Sequence, residues 1–340
     1  MKKVLKVTFG AVLAVSMAAP MIASAHVHEI WNGIAVWGDA TYMRQSNNGL
    51  SVGDYTLATT APATFDGAHN HFFVDPDYEF DWALGVSYRL PHTHNRIFMS
   101  YDHFQNDVDR QGDFGIRALG LAPGAFTFAA TELDTNAHEF RVGAIHDLHF
   151  GDHFCLDFKA FLEYARVTQT LNETIEQSGT VRFQSTENLI KGFGPGVGFV
   201  SRWYSHNPTW HIFAGANTTL LKVENEYSQT FGELVGQLAG RGYDYQPHET
   251  DSVVGKLDIE FGINWGCKFR HELRGAAWDV ALGMKYMNMI NVFKNGNTAY
   301  QVNGGANALP TSNNAPYLGA AQDWGKYGPF LRVKIGGANS

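Results

Sequence analysis

Strict alternation of apolar and polar residues over Tyr78–Leu90 limits this chain more than any other feature. One face reads Tyr78, Phe80, Trp82, Leu84, Val86, Tyr88 and Leu90; the other reads Glu79, Asp81, Ala83, Gly85, Ser87 and Arg89. A period of two means a β-strand with one apolar and one polar side. Aromatics stand at both ends of the apolar face and aliphatics nearer the middle. That order suits a strand crossing a bilayer, because amphipathic rings settle at the two water interfaces.

The pattern returns along the chain. Phe154, Leu156, Phe158, Ala160, Leu162 and Tyr164 alternate with Cys155, Asp157, Lys159, Phe161, Glu163 and Ala165. Leu257, Ile259, Phe261, Ile263 and Trp265 alternate with Lys256, Asp258, Glu260, Gly262 and Asn264. Trp278, Val280, Leu282, Met284 and Tyr286 alternate with Asp279, Ala281, Gly283 and Lys285. Charges on the second face would be ruinous in lipid and comfortable in a polar lumen. With weaker segments the reading gives ten strands, at 33–44, 77–90, 96–104, 138–149, 154–167, 192–204, 209–222, 252–265, 276–290 and 327–336. The fold class is therefore all-β, a transmembrane antiparallel barrel of about ten strands with twelve as the alternative.

The joints alternate in length. Those at 91–95, 150–153, 205–208 and 266–275 are short, and those at 45–76, 105–137, 168–191, 223–251 and 291–326 are long. Short periplasmic turns facing long external loops are how bacterial outer-membrane barrels are built. A soluble β-sandwich also alternates, but compact soluble domains rarely carry five long loops without structure of their own.

The start of the chain agrees. Lys2, Lys3 and Lys6 precede a short apolar run that ends in Ala23-Ser24-Ala25, the pattern of a cleavable export signal over residues 1–25. Residues 26–340 read as one barrel domain, with no Pro/Ser-rich linker to divide them. Removing three lysines leaves 22 bases against 33 acids, a formal charge of −11. That balance argues against a nucleic-acid partner, whose footprint is basic.

Several segments carry a resemblance. Lys191-Gly192-Phe193-Gly194-Pro195-Gly196-Val197-Gly198, Arg96-Ile97-Phe98-Met99-Ser100-Tyr101-Asp102-His103-Phe104, Phe161-Leu162-Glu163-Tyr164-Ala165-Arg166-Val167 and Tyr327-Gly328-Pro329-Phe330-Leu331-Arg332-Val333-Lys334 occur in that family's order. Together they resemble the Legionella-type major outer membrane proteins, a pore-forming family of the Gram-negative envelope. Such barrels usually finish on an aromatic, whereas this chain runs on through Gly336-Gly337-Ala338-Asn339-Ser340. The resemblance implies a porin-like role, location in the outer membrane and no catalytic residues.

Polar parity on four strands puts Glu79, Asp81, Asp157, Glu163, Asp258, Glu260 and Asp279 in the lumen, against Arg89, Lys159, Lys256 and Lys285. Seven acids and four bases predict a water-filled pore for ions and small hydrophilic solutes that mildly prefers cations. The competing reading is an adhesive or structural anchor whose lumen is plugged, since side chains alone can fill a barrel of about eight strands. An outer-membrane enzyme is the remote third, with no motif to support it.

Cys155 and Cys267 both adjoin short turns, and strand order keeps them apart in one wall, which suggests an intermolecular disulfide and a homo-oligomer. The remaining expected partners are outer-membrane lipid, lipopolysaccharide and the barrel-assembly machinery. No cofactor is expected. The pairs His69 and His71, and His92 and His94, lack a carboxylate or thiolate to complete a metal set. After cleavage, His26 and His28 with the free amine could ring Cu²⁺ or Ni²⁺ in square geometry.

Overall fold

A computed structural model describes residues 31–47, 51–55, 70–73, 76–112, 128–151, 153–177, 180–205, 210–235, 242–268, 276–297 and 317–338. The export signal, His26 and His28 lie outside the described residues. The strands are β1 (Trp31–Asn47), β2 (Ser51–Tyr55), β3 (Asn70–Phe73), β4 (Tyr78–Arg89), β5 (Asn95–Gly112) and β6 (Phe128–Phe150). They continue as β7 (Phe154–Gln177), β8 (Thr180–Tyr204), β9 (Trp210–Val235), β10 (Gly242–Lys268), β11 (Ala276–Asn297) and β12 (Tyr317–Ala338). Ten of them close a barrel in which each neighbour in the chain is a neighbour in the wall, and β1 pairs with β12. β2 and β3 form a separate hairpin within the segment expected to be one long loop. The expected count of ten holds for the wall, and the alternative of twelve barrel strands does not.

The register sets the size of the barrel. Pairing leads from Ala35 through Ser87, Phe98, Gly143, Phe161 and Gly196. It continues through Thr219, Lys256, Met289 and Trp324 to Asn47 on the starting strand. From Ala35 to Asn47 is a stagger of twelve residues. For ten strands that corresponds to a tilt of about 40° and a backbone radius of about 10 Å. Inward side chains several ångströms long leave little free space in such a tube.

Parity separates the two faces as expected. Phe80, Leu84, Phe158, Phe261, Leu282 and Ile335 are exposed, while Asp81, Ala83, Asp157, Lys256 and Asp279 on the alternate face are buried. An apolar outer surface and a polar interior invert a soluble protein, and lipid is the solvent that makes this stable. Trp203, Trp210, Trp265 and Tyr88 ring the short-turn end, which outer-membrane barrels place in the periplasm; Tyr42, Tyr78, Tyr164 and Tyr286 ring the other. From Phe154 to Tyr164 the strand rises about 25 Å once tilted, the height of an outer-membrane apolar band.

Beyond the second ring the strands run on. β5 reaches Gly112 where 96–104 was expected, β8 begins at Thr180 rather than 192, and β9 ends at Val235 rather than 222. Outward positions there are polar, as in Asp107, Asp109, Glu132 and Asp134, all exposed. The backbone still pairs, but the polar residues now face outward, the reverse of the pattern within the bilayer.

Candidate functional site

The lumen has two layers, set by which residues the strands turn inward at each height. At the outer level, Met43, Phe104, Leu221, Met287, Met289 and Trp324 meet Ala137, Ala165, Val167, Ile190, Val223, Val254 and Val292 in one buried cluster. Every strand of the barrel except β4 contributes. The Phe104 and Trp324 rings meet edge to face with centroids 6.1 Å apart, and Lys326 Nζ lies 5.2 Å from the Phe104 centroid. None of the cluster is more than 4 % exposed, so the layer is dry. Among the described residues, the side-chain nitrogens of Gln45 and Trp324 nonetheless enter this level without a hydrogen-bond partner.

Below the layer the lumen is charged, and the charges are cross-linked. Lys256 Nζ lies 2.5 Å from both Glu139 Oε2 and Glu163 Oε1, and Thr219 Oγ1 donates to Glu163 at 2.7 Å. Arg141 lies 2.7 Å from Asp258, 2.9 Å from Glu139 and 3.3 Å from Glu163. Because β6 and β10 stand four strands apart, the contacts of Arg141 and Lys256 span the lumen. Lys326 of β12 reaches Asp81 at 3.1 Å and Asp102 at 2.5 Å. At the seam, Arg332 binds Asp39 at 2.7 Å and Glu260 at 2.9 Å, and Lys285 also pairs with Asp39. At the short-turn end, Asp147 accepts from Arg96 at 2.5 Å and Arg89 at 2.7 Å, while Asp157 accepts from Arg96 at 2.8 Å and from Arg202.

A cavity of about 250 Å³ lies among these groups, lined from Tyr204 and His211 near the short-turn end up to Met43 and Met287 of the dry layer. Lys159 lines it and has neither an ion pair nor a hydrogen bond among the described residues.

All eleven charged residues assigned to the lumen from sequence take the inward parity, though Glu79 does not line the cavity and Arg89, Glu163 and Lys256 are held in ion pairs off its surface. Sequence reasoning missed Asp39, Asp102, Glu139 and Asp147, and also Arg96, Arg141, Arg202, Lys326, Arg332 and Lys334. Four acids and six bases reduce the expected excess of three negative charges to one, so the cation preference loses its basis. The missed residues sit on β1, β5, β6, β8 and β12, whose parity was not counted. Alternation on β12, with Lys326, Arg332 and Lys334 against Tyr327, Leu331, Val333 and Ile335, was the signal available.

Cys155 is also displaced from its expected role. Its side chain is fully buried and inward, near Asp157 and Arg202, where a second barrel has no access to it. The side chain of Cys267 lies outside the described residues. Of the histidines, His92 adopts a positive φ of 58° in the turn after β4, the left-handed geometry of a turn residue. His94 packs against His149 with ring centroids 5.7 Å apart.

A closed wall with an apolar belt, two aromatic rings and a charged interior defines an outer-membrane β-barrel. The chain matches the family described as Legionella pneumophila major outer membrane protein precursor over residues 30–337, and it belongs to that family. It is thus a protein of the outer membrane. No curated protein matches it. Solved structures similar to it include the Pseudomonas putida toluene transporter TodX, at 7 % identity over 94 % of this chain and 93 % of that one, with a TM-score of 0.25. The CymD monoaromatic hydrocarbon channel matches at 6 % identity over 91 % and 89 %, with a TM-score of 0.28. A Pseudomonas aeruginosa FadL homologue matches at 8 % identity over 89 % of each chain, with a TM-score of 0.23. At such scores the likeness fixes neither strand number nor cargo.

The expected open pore for ions and hydrophilic solutes does not stand. The lumen itself supplies the physical reason. A hydrated ion would have to shed water to cross the layer around Phe104 and Trp324, and apolar constrictions gate in just this way, by dewetting.

Proposed function

We propose that this barrel is a channel for small solutes with a largely apolar body, and that it is closed to hydrated ions at rest. The observation that carries this reading is the dry outer layer. Apolar solute loses nothing on entering it, gaining about 25 cal/mol per Å² removed from water, whereas an ion pays its hydration. Met43, Met287 and Met289 suit the passage of a guest, because unbranched thioether chains repack around irregular shapes. Unpartnered nitrogens on Gln45 and Trp324 each cost roughly 1–3 kcal/mol, which a merely cohesive plug has no reason to carry.

Two measurements test it together. Planar bilayers containing the protein should show no stable ion steps. Cells of a Gram-negative host lacking general porins should take up labelled toluene faster when they express the chain. Ion steps in the unmodified protein would defeat the proposal. So would toluene uptake equal to that of the empty host, which would leave a plugged barrel acting as an anchor.

A further inference from the structure

The charged half of the lumen contains one arrangement that ion pairing does not explain. Lys159 projects from β7 into the cavity without a partner among the described residues, although carboxylates are plentiful around it. The carboxylates that act on its charge are already engaged. Glu260 is held by Arg332 at 2.9 Å, and Asp157 is held by Arg96 at 2.8 Å and by Arg202. The other charges facing Lys159 are Arg332 and Arg141, each bound to its own acids. Locally the balance is positive. Among the described residues Arg96 and Arg202 pair with Asp147 and Asp157, which Arg89 also reaches, while Arg332 and Lys285 match Asp39 and Glu260.

The wall at the height of Lys159 is not polar. Trp37, Phe98, Ile145, Val200 and Phe213 line the same cavity, between the ion-pair network of the short-turn end and that around Lys256. Next along the strand, the Phe161 ring lies over Gly196, where a Cβ would collide with it, and meets the Phe98 ring edge to face at 6.3 Å. An unpaired ammonium in a cationic field, bordered by aromatic and aliphatic surface, is complementary to an anion with an apolar body. A single carboxylate uses one lysine, and the cavity of about 250 Å³ has room for a six-membered ring.

We infer that this cavity is a binding site for a small aromatic monocarboxylate, with Lys159 holding the carboxylate and the Trp37–Phe98–Phe213 level holding the ring. This deepens the channel proposal by naming a cargo class. It rests on that reading only for the route in.

The test uses the full-length mature protein in detergent and needs no membrane, so it stands or fails separately from ion exclusion and uptake. Titration calorimetry with sodium benzoate should show saturable binding. Benzamide, of the same shape without the charge, should bind at least about tenfold more weakly, as the loss of a charge-assisted hydrogen bond implies. Lys159→Met should weaken benzoate to a similar degree and leave benzamide unchanged, while Lys159→Arg should retain most of the affinity. Heat-dependent gel mobility checks that each variant is folded; if Lys159→Met fails this check, the benzoate-to-benzamide ratio in the unmodified protein decides. Equal affinity for the two probes, no saturable benzoate binding, or a folded Lys159→Met that binds benzoate normally would overturn the assignment.

Discussion

The two levels of the lumen hold the barrel closed in different ways. The outer level uses side chains that attract no water, and the inner level uses charges that have found each other. Around Phe104 and Trp324 the barrier to an ion is its own hydration, so removing bulk should open a path. Around Lys256 the obstruction is a set of bonds, and removing one partner strands the rest. On the proposed reading, the outer layer governs permeation and the inner networks govern rigidity. A barrel can be closed without being inert.

The largest effect should come from the outer level. Replacing Phe104 and Trp324 together by Ala should cost about 3–5 kcal/mol per site in stability and turn a silent bilayer into one with stable ion steps. A folded double variant that stays silent would show that the inner networks also block ions, and the contrast would collapse.

Next comes the inner level. Lys256→Met leaves Glu139, Glu163 and Asp258 to share Arg141, and should cost about 3–5 kcal/mol in a urea midpoint measured in vesicles. Ion conductance should remain absent. Steps appearing in this variant while the Phe104/Trp324 variant stays silent would exchange the roles of the two levels.

A control lies outside the membrane. Lys191 pairs with Glu226 at 2.6 Å on the outer wall with more than a third of its side chain exposed, and Lys191→Met should change the same midpoint by no more than about 1 kcal/mol. A loss comparable to that of Lys256→Met would mean that burial does not set the scale.

The smallest effect concerns Asp134, above the aromatic ring on the outer wall. Partial burial, with Asp107 and Glu132 beside it, raises its carboxyl above the usual 3.8. A raised carboxyl binds its proton more tightly in the folded state, so ionisation subtracts stability as pH climbs above 3.8 and through the raised value. Asp134→Asn should therefore gain a few tenths of a kcal/mol at pH 7 and nothing below pH 3.8. A gain that persists in acid would point to packing instead.

The same contrast explains what was legible in the sequence. Within the bilayer, the solvent outside is apolar and the lumen is polar, so Tyr78–Arg89 announced both its fold and its inward charges. Above the bilayer the solvents exchange sides: water lies outside and the dry layer within. On β9, Leu220 faces lipid, but Lys222 and Glu224 then face water while Leu221 and Val223 enter the core. On β7, Arg166 and Thr168 point out and Ala165 and Val167 point in. Alternation persists there with its sign reversed, and a reading that equates polar with lumenal misses the apolar layer entirely. The cross-lumen pairs were hidden for another reason, since Glu139 and Lys256 are joined by the curvature of the whole wall and by nothing local.

Asp39 lies on the first strand of the wall, and both its partners lie on the last two, Lys285 on β11 and Arg332 on β12. Its carboxylate can therefore be matched only when the first strand meets the last two. Closing the loop between such distant strands is slow in proportion to the chain it must gather. Until then, a bare charge inside the curling sheet favours water there, since an unpaired buried ion costs several kcal/mol. The barrel should stay wet through most of its assembly and dry only when its two ends meet.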